Sequence, residues 1–142
     1  MGPTKIVVDT REQNPWAFVG LRVVRKALKF GDYAISGRER ICAVERKSGA
    51  DLVASLTTGY HRLCREFCGA REAGVKLFMV CDADFDFCQA TLGTYSPGRL
   101  LERTLAKFIH TTGIVPVFAG SRKTGAKIGL ALLLQNSISN SC

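Results

Sequence analysis

Short apolar runs separated by turn residues fill the first third of the chain, a pattern that predicts strands. The run "KIVVD" is typical of a short buried strand ending at Asp9, and "REQNP" then interrupts regular structure. Further strands are predicted at "LRVVRKAL", "DYAI" and "RICAVERK", with turns at Gly31 and around Gly37. Because these strands follow one another closely, we expect them to form an antiparallel meander.

Helical spacing of the apolar residues begins after the fourth strand. Ser48 is a candidate N-cap for a helix that extends from Asp51 to Gly74 and is weakened in its middle by "TTG". The continuous apolar run "VKLFMVCDAD" predicts a central strand covered on both faces. A helix from about Pro97 to Thr112, the strand "IVPVF" and a last helix from about Thr124 to Gln135 are predicted to follow.

Strands followed by alternating helices and strands predict an α/β sandwich with a mixed sheet. The length of 142 residues fits one domain, which we place at residues 1–135, with the polar tail "NSISNSC" at 136–142. No apolar run approaches the roughly 18 residues that a spanning helix needs, and "MGPTKIVVDTR" has no apolar stretch typical of a signal peptide. We therefore expect an intracellular protein with no membrane partner.

The chain is basic, with 20 Lys and Arg against 12 Asp and Glu and a net charge of +8. Residues 1–47 alone carry ten cations and five acids, a balance of +5. A positive field of this kind attracts the phosphate backbone of nucleic acids without reading the bases. Charge alone does not establish such a partner, because many basic proteins bind nucleic acid only weakly.

The stretch "AVERKSGADL" places several charges at the end of a predicted strand. Successive side chains of a strand alternate between its faces, so Glu45 and Lys47 point to one side and Arg46 to the other. A carboxylate beside an ammonium group suits metal-assisted hydrolysis of a phosphodiester, since the carboxylate binds Mg²⁺ and the ammonium offsets charge on the reacting phosphate. The alternative is an ordinary ion pair on an edge strand.

One carboxylate holds a hard cation poorly, and two further acids lie near predicted strand ends. Asp9 ends the first strand and Asp32 follows Gly31, so both would adjoin Glu45 if these strands are neighbours. Asp32 also has a simpler interpretation, as the usual companion of a turn glycine. Asp51 fits the capping box of the following helix, so we assign it a supporting role.

The combination "VVDTRE", "FGDYAI" and "AVERKSGADL" resembles the XPF-type nuclease domain, a branch of the PD-(D/E)XK superfamily. The resemblance is specific over residues 5–67 and continues to about Leu134, where the chain is similar to short bacterial and phage-like members. It implies a restriction-endonuclease-like three-layer α/β/α sandwich with a mixed central sheet. It also implies metal ligands at Asp9, Asp32 and Glu45, a catalytic lysine at Lys47, and supporting positions at Arg11, Glu12, Arg46 and Asp51.

The chain departs from this family's pattern in two places. Relatives of the eukaryotic and archaeal type usually continue into helix-hairpin-helix modules that bind branched DNA, which this chain does not show, so the preferred DNA structure is open. Asp82 stands where relatives often have glutamate. Candidate DNA contacts are Arg11 together with Tyr60 and Arg62, which follow the motif on the helix; the alternative for Arg62 is plain solvation.

The first hypothesis is therefore a Mg²⁺- or Mn²⁺-dependent DNA endonuclease that cuts branched or structured DNA in repair, recombination or replication. The alternative is an inactive nuclease-like DNA-binding or scaffold module, although such copies usually lose the motif acids. The resemblance also implies a homodimer or heterodimer through this domain, with the helix "IGLALLLQ" contributing part of the surface; the alternative is that this helix only covers the sheet. We expect a cytoplasmic location in a bacterium or phage-infected cell and a nuclear one in a eukaryote.

Overall fold

A computed structural model describes residues 2–138, which form one six-stranded sheet and five helices. The strands are β1 (Lys5–Val8), β2 (Arg22–Arg25), β3 (Tyr33–Ile35), β4 (Cys42–Lys47), β5 (Lys76–Cys81) and β6 (Val117–Phe118). The helices are α1 (Gly49–Leu56), α2 (Tyr60–Glu72), α3 (Phe85–Tyr95), α4 (Leu101–Thr112) and α5 (Arg122–Asn136). The strands lie in the order β2-β1-β3-β4-β5-β6. None of the helices within residues 2–138 has the length and apolar character needed to cross a membrane.

The sheet is mixed, as predicted, but the expected meander is wrong for its second strand. β1, β3 and β4 pair antiparallel, and β4, β5 and β6 pair parallel. β2 lies outside β1 and runs parallel to it instead of continuing the hairpin order. The physical reason is the long β1–β2 connection, which buries Trp16 and Phe18 beneath the sheet before the chain returns at the edge.

Helices cover both faces of the sheet, which confirms the three-layer α/β/α sandwich. One core lies under α1, α2, α3 and α4. The other contains α5 together with Trp16 and Phe18. β5 faces both cores, with Met79 in the first and Val80 in the second, so the prediction of a strand covered on both faces is confirmed.

Two glycines allow α5 to approach the sheet closely. A Cβ atom added at Gly129 would lie 2.6 Å from the Trp16 ring, and one at Gly125 would lie 2.6 Å from the Asp82 carboxylate. Real Cβ atoms do not approach other groups so closely, so a larger residue at either position would displace its neighbour. The indole of Trp16 stacks on its other side against Tyr33, with ring centroids 4.7 Å apart.

The predicted helix over 51–74 is in fact two helices. Thr57 ends α1, and its hydroxyl donates to the carbonyl of Val53 at 2.7 Å, a bond that competes with continued helix. Gly59 then precedes α2. The predicted N-cap is confirmed, because the Ser48 hydroxyl accepts from the Asp51 amide at 3.2 Å.

The sequence pattern missed α3, which buries only Cys88 and Leu92 and therefore lacks a clear apolar stripe. Its start is nevertheless marked by Asp84, whose carboxylate accepts from the Phe87 amide at 2.7 Å. The next helix begins at Leu101 and not at Pro97, because Gly98 adopts a φ of +82° and turns the chain.

The final elements also differ from prediction in their bounds. Only Val117–Phe118 of "IVPVF" forms a strand, and α5 extends to Asn136, one residue past the predicted domain limit. Arg38 donates to the carbonyl of Ser137 at 2.9 Å, so the first part of the predicted tail contacts the domain. Residues 139–142 of that tail lie outside the described part of the chain.

Candidate active site

Backbone hydrogen bonds place three motif positions side by side at one end of the antiparallel strands. The Asp9 amide donates to the carbonyl of Asp32 at 2.8 Å, and the Asp32 amide donates to the carbonyl of Val44 at 2.8 Å. Gly31 permits this approach, since it has a φ of +75° and an added Cβ would lie 3.0 Å from the Val44 carbonyl oxygen. The strands that carry Asp9, Asp32 and Glu45 are therefore neighbours, as the sequence analysis required.

Glu45 and Lys47 share one face of β4, and the Lys47 Nζ lies 3.6 Å from Glu45 Oε2. Alternate residues of β4 face opposite cores, with Ala43 under α1–α4 and Val44 under α5. Glu45 is 7% exposed, and the Lys47 side chain is 20% exposed. The pair is therefore sheltered, which strengthens its electrostatic interaction relative to an ion pair on an open edge strand.

Asp32, which is half-buried, and Glu45, which is buried, form a pair of adjacent carboxyl groups. Burial, followed by the charge of Asp32, raises the pKa of Glu45 to about 9. Burial is also the main cause of the raised pKa of Asp32. The Arg46 amide donates to Asp32 Oδ2 at 2.8 Å, and this hydrogen bond opposes the increase. Two adjacent carboxylates cannot both ionise easily without a cation between them.

A further acid, Glu66 on α2, joins this electrostatic group. Burial raises the pKa of Glu66, while the charge of Lys47 lowers it and that of Asp32 raises it. Its charge in turn contributes to the raised pKa of Glu45. Sequence analysis missed Glu66, although an acid next to the buried stripe of Leu63 and Phe67 would have been a usable signal.

Asp9 is held differently from the other two predicted metal ligands. It is 1% exposed; its Oδ1 accepts from the Leu28 amide at 2.7 Å, and its Oδ2 accepts from Arg11 Nε at 2.8 Å and the Arg11 amide at 3.1 Å. Burial alone would raise its pKa, but the hydrogen bonds from Arg11 and Leu28 outweigh burial and lower it. Three hydrogen bonds therefore occupy the Asp9 carboxylate, which leaves one acceptor site on Oδ1.

The donor set fits a hard divalent cation in part. Within residues 2–138, no group of three or more His, Cys, Asp and Glu side chains is arranged to hold a metal ion. The Asp32 and Glu45 pair nevertheless offers oxygen donors. The pKa values of both groups are raised, and a bound cation would lower them by stabilising the ionised carboxylates. Mg²⁺ commonly binds through one or two carboxylates, with water and substrate phosphate completing its coordination.

Arg46 points away from this pair, into the layer that contains α5. Its Nε donates to Asp82 Oδ2 at 2.7 Å and its Nη1 donates to the Asn14 carbonyl at 3.3 Å. The Nη1 also lies 3.7 Å from Glu12 Oε1. The two predicted supporting residues, Arg46 and Glu12, are thus together, on the face of β4 opposite Glu45 and Lys47.

The other predicted residues lie at or beyond the edge of the site. Asp51 is exposed in the first turn of α1, where its amide is capped by Ser48. The Tyr60 hydroxyl is 3.2 Å from Thr111 Oγ1, so this ring packs against α4. Arg62 is exposed and makes no hydrogen bond or ion pair with residues 2–138. The Arg11 side chain is 74% exposed beside Asp9.

A mixed sheet between helical layers, with carboxylates and a lysine at the end of its central strands, defines a restriction-endonuclease-like fold. The chain belongs to the ERCC4 domain family, whose family model matches residues 8–91. This match confirms the resemblance to XPF-type nuclease domains that "VVDTRE", "FGDYAI" and "AVERKSGADL" indicated. No curated protein sequence matches the chain.

Two solved structures share the fold. XPF from Aeropyrum pernix matches with a TM-score of 0.64 and 22% identity, covering 92% of this chain and 64% of its own. XPF from Aeropyrum pernix in complex with DNA matches with a TM-score of 0.68 and 23% identity, covering 98% of this chain and 68% of its own. The match thus spans about two thirds of each of these solved chains.

Proposed function

We propose that this protein is a Mg²⁺- or Mn²⁺-dependent endodeoxyribonuclease that hydrolyses phosphodiester bonds in branched or structured DNA. The observation that carries the proposal is the pairing of half-buried Asp32 with buried Glu45, with the Lys47 Nζ 3.6 Å from Glu45. Membership of the ERCC4 domain family supports the same activity.

Asp32 and Glu45 would hold the metal ion, because their oxygens adjoin and their charges need compensation. When bound, the ion would polarise the scissile phosphate and lower the pKa of the attacking water. Lys47, whose Nζ lies 3.6 Å from Glu45 Oε2, would offset negative charge that develops on the phosphate as water attacks and the P–O bond to the leaving oxygen breaks.

Asp9 and Arg11 form a second charged unit beside this pair. Asp9 orients the Arg11 guanidinium through its Nε, while most of the Arg11 side chain stays in solvent. We therefore assign Arg11 to contact with a DNA phosphate, for which the planar guanidinium is well suited. Asp9 remains a proposed metal ligand through Oδ1, since Arg11 binds Oδ2.

DNA is the proposed partner because of the net charge of +8 and the DNA bound by one of the structural relatives. A protein of this charge binds the phosphate backbone with strong salt dependence and little base preference. Dimerisation through this domain stays a prediction, and α5 buries Gly125, Ala126, Gly129 and Leu133 within the protein while Leu134 is 48% exposed.

The test is cleavage of labelled fork, flap, duplex and single-stranded DNA with Mg²⁺, Mn²⁺ or EDTA. Glu45→Gln and Lys47→Ala should each reduce the cleavage rate by about 1,000-fold or more, since both act on the same reacting phosphate. Matched controls are Glu102→Gln, an exposed acid on α4, and Lys76→Ala, an exposed lysine at the opposite end of the β4–β5 pair. Both should cleave like the wild type.

The result also separates the nuclease from the alternative function. If the wild type cuts none of these substrates with either metal, yet binds DNA with a salt dependence that Glu45→Gln does not alter, the proposal is wrong. That outcome would establish a nuclease-like binding module. Metal-dependent cutting that is restricted to forks or flaps would establish the preference for branched DNA.

A further inference from the structure

Asp82 connects three distant segments of the chain through one buried carboxylate. It follows β5 directly and is 8% exposed. Its Oδ1 accepts from the Trp16 indole Nε1 at 2.9 Å, and its Oδ2 accepts from Arg46 Nε at 2.7 Å. Arg122, the first residue of α5, lies 3.9 Å from the same oxygen. A buried carboxylate with two good donors is a strong and well-defined anchor.

The Arg46 side chain is held inside the protein by its contacts. Its side chain is 13% exposed and reaches Asp82, the carbonyl of Asn14 and the carboxylate of Glu12. A guanidinium with this many partners has little freedom to reach a DNA phosphate. Its planar fork instead holds the segment between Glu12 and Asn14 against the end of β5.

The same segment is fixed a second time by Tyr33. The Trp16 amide donates to the Tyr33 hydroxyl at 2.8 Å, and that hydroxyl donates to Glu12 Oε2 at 3.3 Å. We call the closed network of Glu12, Trp16, Tyr33, Arg46 and Asp82 the Arg46 clamp. Buried polar networks in which every member has a partner select one arrangement of their segments.

The Arg46 clamp is joined to the candidate active site through the backbone. Arg46 lies between Glu45 and Lys47 on β4, and its amide donates to Asp32 Oδ2 at 2.8 Å. The clamped segment starts directly after Asp9 and Arg11. An anchor on the Arg46 side chain therefore limits rotation of the strand end that presents Glu45 and Lys47.

We propose that Asp82 is a positioning residue for catalysis, which acts through Arg46 to hold the end of β4 and the segment after Asp9 in the geometry that cleavage needs. The inference rests on the nuclease activity proposed above. Asp82 is only 8% exposed, and its carboxylate is hydrogen-bonded to Trp16 and Arg46 and not to the Asp32 and Glu45 pair, so its substitution should change the rate of the chemical step more than DNA binding.

The test compares Asp82→Asn with Asp86→Asn in the full chain. Asp82→Asn keeps the size of the side chain and an acceptor for Trp16 but removes the charge that holds Arg46, whereas Asp86 is exposed in the first turn of α3. We expect kcat to fall by about 10- to 100-fold in Asp82→Asn with KM within about twofold, and no change in Asp86→Asn. Gly125→Ala directs a methyl group at the Asp82 carboxylate without removing its charge. This variant should also show a lower kcat with a nearly unchanged KM.

A second readout needs no DNA. Trp16 is the only tryptophan, so the protein has a single indole N–H resonance in a ¹H–¹⁵N spectrum. Asp82→Asn and Gly125→Ala should shift this resonance and increase protease cleavage between residues 10 and 20, and Asp86→Asn should do neither. If Asp82→Asn and Gly125→Ala both keep the wild-type kcat, or lose kcat only in proportion to the loss of folded protein, the proposal is overturned. If the wild type cuts no DNA, the nuclease proposal fails, and an unchanged indole resonance in Asp82→Asn overturns the positioning role separately.

Discussion

The two faces of the end of β4 differ in how well their charges are satisfied. On one face, Glu45 adjoins Asp32 and its pKa is raised to about 9, mainly by burial and then by the charge of Asp32. On the other face, Arg46 is paired with Asp82 at 2.7 Å, and Asp82 is further bonded to Trp16 at 2.9 Å. One strand therefore carries an electrostatically unsatisfied group and a satisfied one, separated only by the alternation of its side chains.

This contrast shows how a small domain tolerates a costly site. Adjacent buried carboxylates destabilise a fold, because the protein must desolvate them or keep them protonated. The opposite face supplies packing and hydrogen bonds that keep the strand in place despite this destabilisation. The satisfied and unsatisfied charges thus lie on opposite faces of the same strand end, and Arg46 links the two, since its amide donates to Asp32 and its side chain donates to Asp82.

The largest expected effect on stability comes from the satisfied face. Trp16→Ala removes a side chain that is 3% exposed, stacks on Tyr33 and contacts the glycines of α5, and should lower the free energy of unfolding by about 3–5 kcal/mol. Urea unfolding monitored by circular dichroism measures this. Val19→Ala is the control, since Val19 is 97% exposed and its truncation should change stability by less than about 0.5 kcal/mol. A small effect of Trp16→Ala would mean that the two faces do not differ as described.

A second effect is expected from pH on the unsatisfied face. The pKa of Glu45 is about 9 in the folded protein against 4.5 in the unfolded chain, so the folded state binds this proton more tightly. Stability in EDTA should therefore be greatest at the low end of the range from pH 5 to pH 9 and fall as pH rises. Glu45→Gln should flatten this dependence in urea unfolding at pH 5, 7 and 9, while Glu102→Gln should retain it. If the free energy of unfolding depends on pH equally in Glu45→Gln and in the wild type, Glu45 does not cause the dependence.

The smallest effect tests which layer the DNA follows. Arg62 is exposed on α2, in the layer of Glu45 and Lys47, and Lys127 is exposed on α5 in the opposite layer. Arg62→Ala should weaken DNA binding by about two- to threefold and reduce the slope of log K against log salt by about 1. Fluorescence anisotropy at several salt concentrations measures both. A larger loss in Lys127→Ala would place the DNA along the layer of the Arg46 clamp.

Local patterns predicted the parts of the fold that depend on neighbours in sequence. The strand period placed Glu45 and Lys47 together and Arg46 apart, and Ser48 marked the start of α1. The position of β2 was wrong, because it depends on how the segment with Trp16 packs under the sheet. The helix α3 was missed because its few buried residues give no period that distinguishes it from a loop.

The candidate site was predictable only as far as its motif extends. The motif gave Asp9, Asp32, Glu45 and Lys47, and their strands are indeed neighbours. Glu66 was not identified. Asp82 was noted only as a departure from the family's usual glutamate, because its contact with Trp16 joins residues 66 positions apart. The glycines of α5, four residues apart in an apolar helix, were the one local sign that a large side chain lies against that helix.

The backbone ladder that links Asp9, Asp32 and Val44 makes the site's framework independent of the side chains that it presents. Amide and carbonyl groups of these residues remain paired whatever carboxylate or amide they bear. An Asp32→Asn protein would therefore keep an oxygen acceptor for the Arg46 amide as well. Such a protein is a ready substrate trap: it would retain uncut DNA on an undistorted scaffold and allow the natural substrate to be isolated and identified.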